Sequence, residues 1–348
     1  MIESLVSRNR LRRMTNRLRV LELFCGIGGC AVALGERAEI VAAVDINQIA
    51  LSVYRNNLPG APVHVRTIES LPARWYRERA ADLWWLSPPC QPYTRRGRQL
   101  DLRDERAQAL LAVIERIAEV RPRYVALENV AAFCGSQSHQ RLRAMFDACG
   151  YRVREQILCP TERGVPNRRR RFYLVASAKE RLGDRGEGCL SDVPGSIAWR
   201  FSVRQILDAE PREDLWMPHD FQDRFRGAVH VVDAEDPQAE THCFTSSYGG
   251  CVVRSGSYLA APRGEADCLR TGTRVSESLA HVNGVRRFSP QEILRLLCFP
   301  ADYRLPGDLA LRKAWQLVGN SLAVAVVRHV LSAIPELRAA GTFDPRRS

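Results

Sequence analysis

Between Arg19 and Ala176 short apolar runs alternate with stretches of helical spacing, and the runs are stopped by glycine, proline or an acid. That alternation implies a mainly parallel sheet covered by helices on both faces, since parallel strands need crossover connections and buried strands read as unbroken apolar runs. The expected strands are RVLELF (19–24), EIVAAVDI (39–46), DLWWL (82–86), 124–127 and 172–176. Helices are expected over 30–37, 48–58, 107–120 and 141–149. From about Ser177 to Val285 proline, glycine and single aromatics interleave and no long helix is expected. Helical spacing returns from Ser289, and Ser321–Ile334 reads as an apolar closing helix.

Composition narrows the class. The 348 residues are 45% hydrophobic and 26% charged, as in soluble globular proteins. No apolar run approaches the roughly 20 residues of a membrane helix. The N-terminal arginines lack the apolar core of a secretory signal. Eleven cysteines without regular spacing, and without a C-x-x-C pair, suit neither a disulfide framework nor a zinc ribbon. A reducing cytoplasm is the expected location. The net charge of +12 favours a polyanionic partner, above all nucleic acid. The charge is uneven: residues 1–19 hold six arginines and one acid, whereas 184–242 hold six arginines against thirteen acids. Positive charge concentrates near Arg95–Arg98 and Arg168–Arg171.

Five motifs carry chemistry. LELFCGIGG (21–29) follows the first strand, and its glycines let backbone approach a ligand at a helix N-terminus. Asp45 ends the next strand, where a carboxylate can take both hydroxyls of a ribose; this much fits any adenosine-containing cofactor. In SPPCQPYT (87–94) two prolines stiffen the chain before Cys90, a candidate nucleophile, with Arg95, Arg96 and Arg98 close behind. Glu128-Asn129-Val130 places an acid at the end of another strand, suited to general-acid work. VPNRRRRFYLV (165–175) sets four arginines before an apolar strand, with Arg169 and Arg171 on one face and Arg168 and Arg170 on the other. QLVGNSLAVAVV (316–327) reads as Asn320-Ser321 capping an apolar helix. Each has a bland alternative alone: a tight turn, a packed thiol, a capping acid, a solvated basic edge, a plain helix start.

Their joint order resembles the cytosine-5 methyltransferases, from about Leu18 to Ile334. The runs PPCQPYTRRGRQ and PTERGVPNRRRRF, Cys243-Phe244-Thr245 with Tyr248-Gly249 behind it, and Thr67-Ile68-Glu69 are most similar to the transfer-RNA-aspartate methyltransferase class. The resemblance implies a Rossmann-like α/β methyltransferase sheet with a smaller, irregular target-recognition region. It divides the chain into a basic arm (1–17), a catalytic and cofactor-binding domain (18–176), a target-recognition region (177–285), a return to the catalytic domain (286–338) and a tail (339–348).

It further implies S-adenosyl-L-methionine as methyl donor and S-adenosyl-L-homocysteine as product. Phe24, Gly26, Ile27, Gly28 and Gly29 would line the donor's pocket, with Asp45 at the ribose and Ile46, Thr67 and Ile68 near the adenine. Ser87, Pro89, Asn320 and Ser321 would complete it. Cys90 would be the nucleophile toward cytosine carbon 6, Glu128 would hold the exocyclic amine and ring nitrogen 3, Arg171 would bind oxygen 2, and Arg169 would support the base or the catalytic loop. Arg95, Arg96, Arg98, Asn129, Asn167, Cys243, Phe244 and Thr245 would contact substrate. No metal is required, and a monomer is expected. Transfer RNA is the preferred substrate; a DNA cytosine-5 methyltransferase and a nucleic-acid-binding protein that has lost turnover are the alternatives.

Overall fold

The computed structural model describes residues 17–94, 101–178, 190, 201–218, 220–225, 227–261 and 284–338. Residues 1–16 of the basic arm, Arg95, Arg96 and Arg98, and the 339–348 tail lie outside them.

Strands β1 (Leu18–Leu23), β2 (Ala38–Asp45), β3 (Val63–Val65), β4 (Leu83–Leu86), β5 (Tyr124–Val130), β6 (Arg152–Leu158) and β8 (Arg171–Ser177) form one seven-stranded sheet in the order β3-β2-β1-β4-β5-β8-β6. The first five are parallel; β8 runs antiparallel between β5 and β6. Helices α1 (Gly29–Leu34), α2 (Gln48–Asn57), α3 (Ala73–Arg79), α4 (Gln108–Val120) and α5 (Gln137–Ala148) connect them. The expected α/β architecture is observed. Because β2 and β3 are added on one side of β1 and β4 on the other, the strand order reverses between β1 and β4. A crevice at such a reversal, outside the carboxyl ends of the strands, is where open α/β sheets bind ligands.

Alternate residues feed two cores. Leu21, Leu23, Val44, Trp84, Leu86, Val125 and Leu127 join the larger one with residues of α4 and α5. Ala43 points the other way, into a cluster with Leu51 and Tyr54 of α2. Burial on both faces explains why these strands read as continuous apolar runs.

The chain divides into two compact units: residues 1–158, 171–196 and 327–342, and residues 159–170, 197–326 and 343–348. Residues 159–170 and 286–326, placed with the catalytic domain by sequence, thus group with the second unit. That unit holds β7 (Asn167–Arg168) paired with β10 (Thr241–His242), and a small sheet of β9 (His230–Val232), β11 (Ser257–Ala260) and β12 (Val285–Arg287). It also holds the short helix α6 (Phe221–Arg224), then α7 (Pro290–Leu296) and α8 (Leu311–Gly319). A buried ion pair anchors it: Arg286 Nη1 and Nη2 meet the two carboxylate oxygens of Glu292 at 2.8 and 2.7 Å.

Two readings are corrected. The arginine run is not one strand: β7 ends at Arg168 and β8 begins at Arg171, with Arg169 and Arg170 between them. The closing helix α9 (Val324–Leu331) starts three residues later than expected, and Asn320 is the C-cap of α8 rather than an N-cap. Helix α8, unexpected from sequence, ends where Gly319 allows a close backbone approach. Among the described residues no helix is long and apolar enough to cross a membrane.

Candidate active site

The strand ends line up the first unit's functional side chains along one sheet edge. After β1 the chain turns sharply: Phe24, Gly26 and Gly28 all have left-handed φ, at 57°, 52° and 85°. Glycine is required at 28, where a Cβ would sit 2.9 Å from the Tyr54 ring. Asp45, at the end of β2, accepts the amide of Gly26 on Oδ2 and of Asn47 on Oδ1, each at 2.8 Å. Its carboxylate is therefore pinned beside the glycine turn. Next to it Ile46 is 67% exposed, the most exposed large apolar residue described. Ile68, by contrast, is buried in the main core, while Thr67 is exposed. Ile27 and Gly29 are buried within the turn and the start of α1.

On the other side of β1, the Ser87 amide donates to Leu23 O at 3.3 Å and Trp85 Nε1 donates to Ser87 Oγ at 2.9 Å. Pro88 and Pro89 follow, then Cys90, half-buried, opening a 3-10 turn over Gln91–Tyr93. On the adjoining strand Glu128 and Asn129 lie inside β5, not after it, and both are buried. Asn129 Nδ2 donates to Pro88 O at 3.2 Å, tying the acid-bearing strand to the cysteine turn. Glu128 Oε1 is 3.4 Å from Arg171 Nε, at the start of the antiparallel β8. Neighbouring strands are about 5 Å apart, so the thiol turn, the acid and Arg171 occupy consecutive positions on one edge.

One cation escaped the sequence reading. Arg106 is held by Asp104 through Nε–Oδ1 and Nη2–Oδ2 bonds of 2.8 and 2.6 Å, and its guanidinium interacts electrostatically with the Cys90 sulfur. Asp104 is buried on a short turn, and nothing in the run Asp104-Glu105-Arg106 signals that placement.

The second unit brings together the remaining residues, chiefly as scaffold. Arg169 is 4% exposed, and its guanidinium donates to Phe244 O at 3.0 Å, Gly319 O at 3.2 Å and Ser321 O at 2.5 Å, with Cys243 Sγ 3.4 Å away. It clamps the Cys243-Phe244-Thr245 segment to the Gly319-Asn320-Ser321 turn. Phe244 is a core residue against Tyr248 and Phe288, and Thr245 Oγ1 bonds Ser247 Oγ at 2.8 Å. Asn167 is buried and donates to Thr241 Oγ1 at 2.9 Å. Asn320 is exposed and Ser321 buried.

This edge carries a hydrogen-bonded carboxylate at one end and a thiol, an acid and an arginine at the other. The sequence matches the C-5 cytosine-specific DNA methylase family over residues 18–336, and the chain belongs to that family of cytosine-5 methyltransferases. It is 31% identical to a tRNA (cytosine(38)-C(5))-methyltransferase of Spodoptera frugiperda, covering 91% of this chain and 99% of the relative. A protein of the same name from Schizosaccharomyces pombe is 32% identical, with 92% and 98% covered. A crystal structure of a Spodoptera frugiperda DNMT2 variant superposes with a TM-score of 0.77 at 29% identity, over 91% of this chain and 99% of that one.

Proposed function

We propose that the protein transfers the methyl group of S-adenosylmethionine to carbon 5 of a cytosine in a transfer-RNA anticodon loop, through a covalent adduct with Cys90. The observation that carries this reading is the convergence of the Pro88–Cys90 turn, Glu128 and Arg171, fastened by the Asn129 bond and the Glu128–Arg171 pair. The choice of transfer RNA is supported by the near-full-length likeness to tRNA (cytosine(38)-C(5))-methyltransferases.

The residues present fit the donor. The pinned Asp45 carboxylate keeps lone pairs for ribose hydroxyls, and Ile46 offers an apolar face to an adenine. At Gly26 even an added Cβ would meet nothing within 4 Å, so the turn leaves room for a ligand. Bound there, the donor supplies an electrophilic sulfonium methyl.

Carbon 5 of cytosine is a weak nucleophile, and the chain's residues activate it. The Cys90 thiolate adds to carbon 6, forming an S–C bond, while the ring's double-bond electrons move toward nitrogen 3. Glu128 donates a proton or hydrogen bond at nitrogen 3 and accepts from the exocyclic amine; Arg171 donates to oxygen 2. Carbon 5, now enamine-like, takes the methyl as the methyl–sulfur bond breaks. Loss of the carbon 5 proton to a base, expulsion of the Cys90 thiolate and return of any nitrogen 3 proton to Glu128 restore the ring. A loop cytosine is poorly stacked, so presenting it to this edge costs less than from a duplex.

The test is methyl incorporation from labelled donor into unmodified transfer RNA and into duplex DNA. Label should enter a loop cytosine of transfer RNA, and Cys90→Ala should abolish it while leaving donor affinity within about twofold. Incorporation confined to duplex DNA would favour the second reading, which the family's DNA methylase description supports.

A further inference from the structure

The second unit carries an aromatic pair with no task in the chemistry above. His230 and His242 lie ring on ring, with centroids 3.9 Å apart and planes 13° from parallel. The strand that bears His242 shows what stands beside it. In the parallel pairing of β7 and β10, Asn167 lies opposite Thr241 and Arg168 opposite His242. Successive side chains of a strand point to opposite faces. Asn167 and Thr241 take the inner face, both buried and joined Nδ2 to Oγ1 at 2.9 Å. Arg168 and His242 take the outer face, and both are exposed. Glu240, two residues before His242, shares that face and fixes the guanidinium, with Arg168 Nε donating to its Oε2 at 2.6 Å. Among the described residues Nη1 and Nη2 of Arg168 have no hydrogen-bond partner, so the fork is oriented and still able to grip an anion.

Ser257 builds the stack. It begins β11 opposite His230 of β9 and is fully buried. Its Oγ accepts the His242 amide at 2.7 Å and lies 2.9 Å from His230 Nδ1. With the amide hydrogen directed at that oxygen, the serine's own hydrogen goes to Nδ1, and the His230 ring is neutral with its hydrogen on Nε2. Burial, with the Arg168 charge nearby, pushes both imidazoles below their ordinary range. Two uncharged rings can then lie face to face at neutral pH. The His242 ring nitrogens have no hydrogen-bond partner among the described residues, so stacking places that ring. His230 covers one of its faces, and the exposure of His242 leaves the other open to a third ring.

A flat neutral ring open on one face, beside an oriented guanidinium, matches the two halves of a nucleotide: the base on the ring and the phosphate on the fork. We propose that His242, backed by His230, is a stacking platform for an unpaired base of the RNA substrate, with Arg168 holding a phosphate next to that base. The proposal deepens the transfer-RNA reading and rests on it. A loop supplies such a base, whereas in a duplex the faces of each base are covered by its neighbours and exposing one costs energy.

The test uses the full chain and an unmodified transfer-RNA transcript, with RNA Kd from filter binding and KM and kcat from methyl transfer. His242→Ala should raise Kd and KM about tenfold, the scale of losing one stacked base, with kcat and donor Kd within about twofold of wild type. His242→Phe supplies a flat ring without ring nitrogens and should bring the RNA affinity back to within about threefold of wild type. Arg168→Gln removes the charge and should reduce the slope of log Kd against log salt by about 0.7, the share of one phosphate contact. Wild-type RNA affinity in His242→Ala, or a His242→Phe protein as weak as His242→Ala, overturns the platform. An unchanged salt slope in Arg168→Gln overturns the phosphate contact. Wild-type protein that methylates duplex DNA and no transfer RNA overturns the transfer-RNA reading, and the proposal with it.

Discussion

Glu22 shows how much one side chain in a strand can weigh. It is the penultimate residue of β1, fully buried, with Tyr54 Oη donating to Oε2 at 2.8 Å and Oε1 without a hydrogen-bond partner among the described residues. Burial pushes its carboxyl up from 4.5 to about 8, against the Tyr54 hydrogen bond. The folded chain therefore holds a proton between those two values that the unfolded chain releases. Stability is greatest below the unfolded value, falls as pH rises through the window and levels off above about 8. Denaturant unfolding of wild type followed from pH 5 to 9 should lose a few kcal/mol, and Glu22→Gln, which keeps an acceptor for Tyr54 without a charge, should flatten most of that slope. Equal slopes in the two proteins would mean the proton is held elsewhere.

At the scale of elements, Gly319 is where the end of α8 meets the chain after Phe244. A Cβ there would lie 2.3 Å from the Thr245 carbonyl carbon and 2.6 Å from the Ser246 nitrogen, and backbone cannot step aside as a flexible side chain would. Gly319→Ala should destabilise the protein by about 2 kcal/mol, the scale of overpacking, read as a lowered unfolding midpoint in urea; an unchanged midpoint would show that the segment shifts freely. The reason such junctions were invisible in the sequence is physical. The apolar runs of β1, β2 and β4 announced themselves because both faces are buried, and the glycine turn and Cys90 were legible as following strands, whereas Glu128 lies inside β5. Strand β3 has three residues, α3 (ARWYRER) has no apolar stripe, and β6 (RVREQIL) intersperses charge because it lies on the sheet's edge. Strand β5 outran its apolar stretch because Glu128 and Asn129 pair with Tyr173 and Phe172 of β8, a partner the local sequence does not reveal. Arg169, read as a support of the base or the catalytic loop, bonds three carbonyls, and those partners lie 75 to 152 positions away, where local sequence does not show them.

Across the whole molecule the charge distribution sets how the substrate is held. The chain carries +12, yet residues 184–242 are net acidic, so the grip on a polyanion falls to a few basic stretches. At the sheet edge the positive charge has specific tasks: Arg171 pairs with Glu128, and Arg106 is held by Asp104 near Cys90. That argues for a small footprint centred on the reacting base. For such a footprint the counterion argument gives a number. Neutralising about two to three phosphates of a single-stranded loop gives a log–log salt slope near −0.7 for each, so RNA KM should rise about tenfold between 50 and 200 mM monovalent salt, with kcat nearly constant. A long duplex footprint of about six to ten phosphates would instead lose about a thousandfold or more over that range. Initial rates against RNA concentration at four salt concentrations separate the two. A slope near that of the long footprint would mean that basic surfaces far from the cytosine carry most of the binding, whereas a flat line would mean that the loop is recognised with almost no phosphate contact.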